Sequence, residues 1–180
     1  MPSSTGVLRP ELRLRLHVRT LAEPLYFSVD EMIEAMRVAY RQARVTVEVA
    51  SRAKLALPAL QDLDIGPCVR GVLTLPQAAL FGYRAGMGPA DVAVYFVRST
   101  IPRSRGCAAH PEHRPGAVVT RLASRWTLAH EVAHVLGLGH TDDRTRLMTS
   151  RDTARIVADV PLLTPDEIDI MRASPWLHRP

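Results

Sequence analysis

The chain has 180 residues, 47% of them hydrophobic and 23% charged, with a net charge of +5. That is the balance of a globular protein with enough chain for one domain with a real core and little for two. No apolar run approaches the roughly 18 residues a membrane span needs, and the opening MPSSTGVLRPELRLRLHV lacks the apolar stretch of a secretory signal. A cytoplasmic location is expected, or a secreted one if the chain is the mature part of a longer precursor.

In chain order, residues 1–10 are polar and irregular, a loose tail. Residues 12–19, LRLRLHVR, alternate strictly, which predicts a half-buried strand. Leu12, Leu14, Leu16 and Val18 would face a core, while Arg13, Arg15, His17 and Arg19 face water. Ser28 to Glu31 reads as a capping box, and Met32, Ile33, Met36 and Tyr40 repeat at helical spacing. VTVEVA at 45–50 predicts a second strand, so strand, helix, strand suggests a parallel pair with a crossover helix. Residues 52–90 carry loop signals at Pro58, Gly66, Pro67 and Gly71, with a short helix over 74–83 capped by Thr74. DVAVYFV at 91–97 predicts a buried strand, 99–115 a loop and 117–120 a short strand. Ser124 would cap the next helix, over 125–136. Residues 142–159 should be irregular. Thr164-Pro165-Asp166-Glu167 starts a last helix that stops before Pro175. There is no internal repeat and no linker.

The chemistry lies in HEVAHVLGLGH, residues 130–140. On a helix, His130 and His134 are one turn apart on one face and can converge on one ion. Gly137 can take the left-handed conformation that ends a helix, letting the chain turn and return His140 to the same ion. Three imidazoles leave a fourth position open for water, the pattern of a catalytic zinc rather than a structural one. Zinc brings the pKa of a bound water to about 7. Glu131, beside the first ligand, is the natural general base and later the acid for a leaving amine. The chemistry that fits is hydrolysis of a peptide or similar amide bond. Five fixed positions make a chance match on the order of 10⁻⁴ or rarer in a chain this size.

This stretch resembles the zinc signature of the metzincin metallopeptidases, H-E-x-x-H-x-x-G-x-x-H. That family also carries a methionine in a tight turn under the metal, a role that Met148 in RLMTS fits. Thr141 after the last histidine and Thr149 after the methionine depart from the best-known subfamilies, and no tyrosine switch ligand or pro-segment is visible. The resemblance implies an α+β fold, metzincin-like: a mixed, mostly parallel twisted sheet with two long helices above it and a small irregular C-terminal subdomain ending in a helix. The whole chain, 1–180, would then be one zinc metallopeptidase catalytic domain, with an upper part over 11–137 and a lower part over 138–180. Extended substrates would lie along an edge strand, either 106–110 or 116–120, with the loop 141–150 walling a side-chain pocket.

The sequence thus predicts a zinc-dependent endopeptidase with Zn²⁺ on His130, His134 and His140, Glu131 as base, and Gly137 and Met148 as structural support. The expected partners are protein or peptide substrates and a regulatory protein; no nucleic acid, no membrane and a monomeric state are expected. Two rivals remain: a catalytically silent metal-binding interaction module, and a basic nucleic-acid-binding protein. The second rests on charge alone, and the basic residues, with Lys54 the only lysine, are spread along the chain and not blocked together. Cys68 and Cys107 could be free thiols, as an intracellular protein would favour, or one bridge, as an exported one would favour; a latency role for Cys107 is a weaker reading than the bridge. His110, His113 and Cys107 could hold a second metal, though a surface loop is the better reading. Asp142 and Asp143 could bind calcium or orient a histidine, though a solvated turn is preferred. Trp126 is expected in the core, and His17 and His178 at the surface.

Overall fold

In the computed structural model the described residues are 10–179, so the expected tail lies, apart from Pro10, outside them. A five-stranded sheet has the order β2 (Val45–Lys54), β1 (Leu12–Thr20), β4 (Val92–Val97), β7 (Gly116–Thr120), β6 (Gly106–Cys107). All pairs are parallel except the last, where β6 runs antiparallel to β7 at the sheet edge. The strand–helix–strand opening is as expected: α1 (Val29–Tyr40) carries the chain from β1 to β2 and starts at the Ser28–Glu31 capping box. A second, two-stranded parallel sheet joins β3 (Asp62–Asp64) to β5 (Ser99–Ile101). Two of these strands, β5 and β6, fall inside the segment expected to be a loop. They are three and two residues long, too short for alternation to register.

The sheet is covered on both faces. On one, Leu14, Leu16, Val94, Phe96 and Val119 pack against α1 and α3 (Thr127–Val135), helices of 12 and nine residues. On the other, Ala93, Tyr95, Val97, Cys107 and Val118 pack with Leu63, Leu80 and Phe81 from β3, α2 (Leu75–Leu80) and its exit. This second layer corrects the expectation for β1. His17 and Arg19 are buried, not solvated, because β1 is an interior strand and residues 83–91 cover its second face. A buried polar side chain needs partners, and His17 has two: Nδ1 lies 2.7 Å from Ser51 Oγ and Nε2 lies 2.9 Å from Asp91 Oδ2. Arg19 donates to Ser51 Oγ and to the Val18 carbonyl. Arg15 reaches Asp91 at 3.2 Å. His178, also expected at the surface, is half-buried; it bridges to Arg13 through its backbone and brings Nε2 to 3.2 Å from Asp91 Oδ1.

The chain beyond α3 is mostly turns up to α4 (Pro165–Ala173), which begins at the expected capping box on Thr164. Arg146 ties the two regions together through an ion pair with Glu167 at 2.6 Å. Among the described residues, no helix is long and apolar enough to cross a membrane.

Candidate metal centre

Helix α3 is buried nearly all round, through Leu128, Ala129, Val132, Ala133 and Val135, so its position is set by packing on the sheet and on α1. Tyr40 of α1 adds a directional tie, donating its hydroxyl to the Ala129 carbonyl at 2.8 Å. Ser124 does not cap this helix, as the sequence suggested. The helix starts three residues later without a side-chain cap, and the Ser124 hydroxyl joins a buried cluster with Thr127 and Thr153 at 2.7–3.1 Å. Trp126 is buried as expected.

Gly137 ends the helix with φ +108°. Its N–H donates to the His134 carbonyl, and the next N–H, of Leu138, donates to the Ala133 carbonyl; this is the glycine-terminated helix end the motif called for. The turn brings His140 back over the helix. The Nε2 atoms of His130, His134 and His140 then lie 3.1, 2.9 and 3.3 Å apart. Four-coordinate zinc with Zn–N bonds of about 2.0–2.1 Å spaces its nitrogens by roughly 3.3 Å, so the three donors fit that ion. They are the one cluster of potential metal ligands among the described residues.

Two backbone carbonyls orient the helix histidines, and neither was legible in the sequence. His130 Nδ1 bonds the Leu147 carbonyl at 2.8 Å, and His134 Nδ1 bonds the Leu138 carbonyl at 2.8 Å. Each bond fixes a proton on Nδ1 and leaves Nε2 free to ligate. Burial lowers the pKa of His130 to about 4 against the opposing pull of Leu147, and lowers that of His134 as well. Both rings are therefore neutral at pH 7, the form that binds metal. Leu147 is held by a return segment in which the Thr141 N–H donates to Met148 O at 2.8 Å. Met148 itself is fully buried in the core beneath.

Glu131 points from α3 toward β6 and is buried. With no cation beside it, burial alone pushes its carboxyl up to about 8. Gly106 makes room for it, since a Cβ there would fall 2.5 Å from Glu131 Cγ and 2.7 Å from Oε1. Sequence reading missed this glycine; a glycine inside a buried strand is the available sign of such a close approach. Of the two candidate rims, 106–110 contains the sheet edge, while 116–120 is interior and buried throughout. A cleft of about 660 Å³ runs between β6 and the turns at 137–140 and 149–153, with the three histidines and Glu131 in its floor.

The other candidates separate cleanly. Cys68 and Cys107 are bonded to each other, so neither is a free thiol, and Cys107 faces the core on the side of the sheet away from α3. His110 is buried, with Nδ1 on the Pro111 carbonyl, while His113 is exposed, so they form no second metal cluster. Asp142 accepts from Ser150 and Asp143 from Thr145, an exposed turn in which neither touches a histidine.

No protein-family model matches the chain, and no curated protein matches its sequence. In fold, the chain is similar to metalloproteinase-II from Bacteroides fragilis, with a TM-score of 0.66 at 18% identity over 92% of this chain and 54% of that one. The chain thus spans about half the length of that protein. It is also similar to archaemetzincin from Methanopyrus kandleri, with a TM-score of 0.58 at 20% identity over 89% of this chain and 94% of that one. A zinc-dependent peptidase from Methanocorpusculum labreanum follows, with a TM-score of 0.52 at 15% identity over 87% and 99%. At these identities the likeness is one of fold.

Proposed function

We propose that the protein is a zinc-dependent endopeptidase of the metzincin type. The observation that carries this reading is the convergence of three imidazole nitrogens beside a buried glutamate, in the floor of a cleft bordered by the sheet's edge strand. The fold neighbours support it, since they include a metalloproteinase, an archaemetzincin and a zinc-dependent peptidase. His130, His134 and His140 would hold the ion. Bound there, zinc would supply a Lewis acid for the scissile carbonyl and lower the pKa of the attacking water. Glu131 takes the proton of that water and passes it to the leaving amine. Strand β6, at the edge of the sheet, gives the cleft a side along which an extended peptide can lie. Met148 lies in the turn under the metal and, through its neighbour Leu147, steadies His130, which is the part a Met-turn plays.

We read the chain as one catalytic domain, residues 11–137 forming the upper wall of the cleft and 138–180 the lower. It would act as a monomer on protein or peptide substrates, under the control of a regulatory partner, with neither nucleic acid nor membrane involved. Metal analysis combined with a peptide-library digest of wild type and Glu131→Gln tests the reading. One zinc per chain is expected in both, with cleavage reduced about 10²- to 10⁴-fold in the variant. Undiminished cleavage by the variant would remove Glu131 from its role.

A further inference from the structure

The cleft is charged unevenly. Arg70, Arg105 and Arg151 line it, and among the described residues the only acidic side chains that do so are Glu131 and Asp152. Asp152 is taken up by Arg105, whose Nε lies 2.7 Å from Oδ1. Glu131 is buried behind Gly106. The charged side chains left to face a ligand are therefore cationic, Arg70 and Arg151 among them.

Arg70 is held with unusual care for an exposed arginine. Cys68, two residues before it, is bonded to Cys107 in the edge strand β6. The chain then closes a tight turn, Val72 N–H donating to the Val69 carbonyl at 3.0 Å, with Gly71 at φ +82°. Arg70 occupies the tip of that turn, between two half-exposed valines. Its charge reaches the ring of His110, at the end of the edge segment, where it adds to burial in disfavouring the protonated form. The turn is thus a covalently anchored extension of the cleft wall that presents a guanidinium beside Ala108–His110.

We infer that Arg70 is a specificity-determining residue that selects peptides carrying a carboxylate side chain on the stretch lying along Ala108–His110. The inference rests on the peptidase reading for its catalytic consequence, but recognition is a binding property and can be read separately. A peptide is favoured over a phosphate backbone because the cleft is bordered by the edge strand β6, beside which an extended main chain can lie.

The test uses zinc-loaded wild type, Arg70→Ala and Arg70→Glu. Matched peptides carry Glu, Gln or Lys at one position, walked across the residues flanking the scissile bond. Wild type should prefer Glu over Lys by about three- to ten-fold in kcat/KM at one position, the size expected of a partly solvated ion pair plus the matching repulsion. Arg70→Ala should bring that ratio close to one, and Arg70→Glu should reverse it. Salt at about 0.5 M should shrink the wild-type preference. A ratio unchanged in Arg70→Ala overturns the inference. If no form cuts any peptide, the binding of labelled peptides to zinc-loaded Glu131→Gln decides. A Glu-over-Lys preference that disappears with Arg70 sustains the inference while the peptidase reading falls. Equal binding of all three peptides overturns the inference, as does tighter binding of a single-stranded oligonucleotide.

Discussion

Gly106 and Glu131 share a space that admits one side chain. A methyl group on Gly106 would meet the Glu131 side chain at 2.5–2.8 Å, and Glu131 is the movable partner, because Gly106 is fixed in the ladder with Val119. Gly106→Ala is therefore expected to keep its zinc and lose at least about ten-fold in kcat, at a stability cost of about 1–3 kcal/mol, the usual range for overpacking. Metal content, kcat and a urea melt on one preparation check all three. At this scale the histidines were readable because helical spacing and a terminating glycine act locally. Gly106 was not, because the residue it accommodates is 25 positions away in sequence. His17 was misread for a related reason. Strict alternation reports two faces of a strand and does not say that the second face is also covered.

That buried histidine has a pH signature. Burial lowers the pKa of His17 below its ordinary 6.5, against the pull of Asp91. The unfolded chain then binds the proton more readily than the fold, so stability is lost as pH falls below about 6.5. Asp91 adds a second loss further down. Burial raises its carboxyl, but the Gly88 N–H, the His17 ring and the Arg15 charge outweigh burial and leave it below 3.8. Its contribution is present above that value and disappears as pH falls through the depressed one. In metal-free protein, His17→Gln should flatten the decline between pH 6.5 and 5 relative to wild type, read as the difference between the two urea midpoints. Parallel declines would contradict this.

Among the elements, β6 matters most for function and was hardest to foresee. Two residues leave no periodic trace, and its place at the edge follows from a pairing with β7 that only the fold reveals. The disulfide that anchors its outer side links residues 39 apart. Loop closure of that length is worth about 2–4 kcal/mol, and reduction should lower stability by that amount in a denaturant melt. Because Cys107 packs on the face of the sheet away from α3, zinc content should survive reduction. Zinc lost together with the bridge would mean that the two sites are coupled in a way the packing does not predict. By contrast, β1, α1, β4 and α4 were legible in the sequence, each from a strong pattern or a capping box. Within 52–90 the short helix α2 was legible from its Thr74 cap, but β3 and the arrangement of the turns were not, because their order comes from contacts with the second face of the sheet.

At the scale of the molecule, a core that runs without a break from the sheet through α3 to Leu147, Met148, Leu163 and Met171 holds the return segment in place. The fold thus presents the three imidazoles already converged, and the metal completes a site that packing has prepared. The most direct test is X-ray absorption at the zinc edge, with metal stoichiometry, on the purified protein and on His134→Ala. The account predicts one zinc per chain, with three imidazole nitrogens and one further light atom at about 2.0–2.1 Å, and loss of tight binding in the variant. A protein that holds no stoichiometric zinc, or whose zinc is unaffected by removing His134, would contradict it.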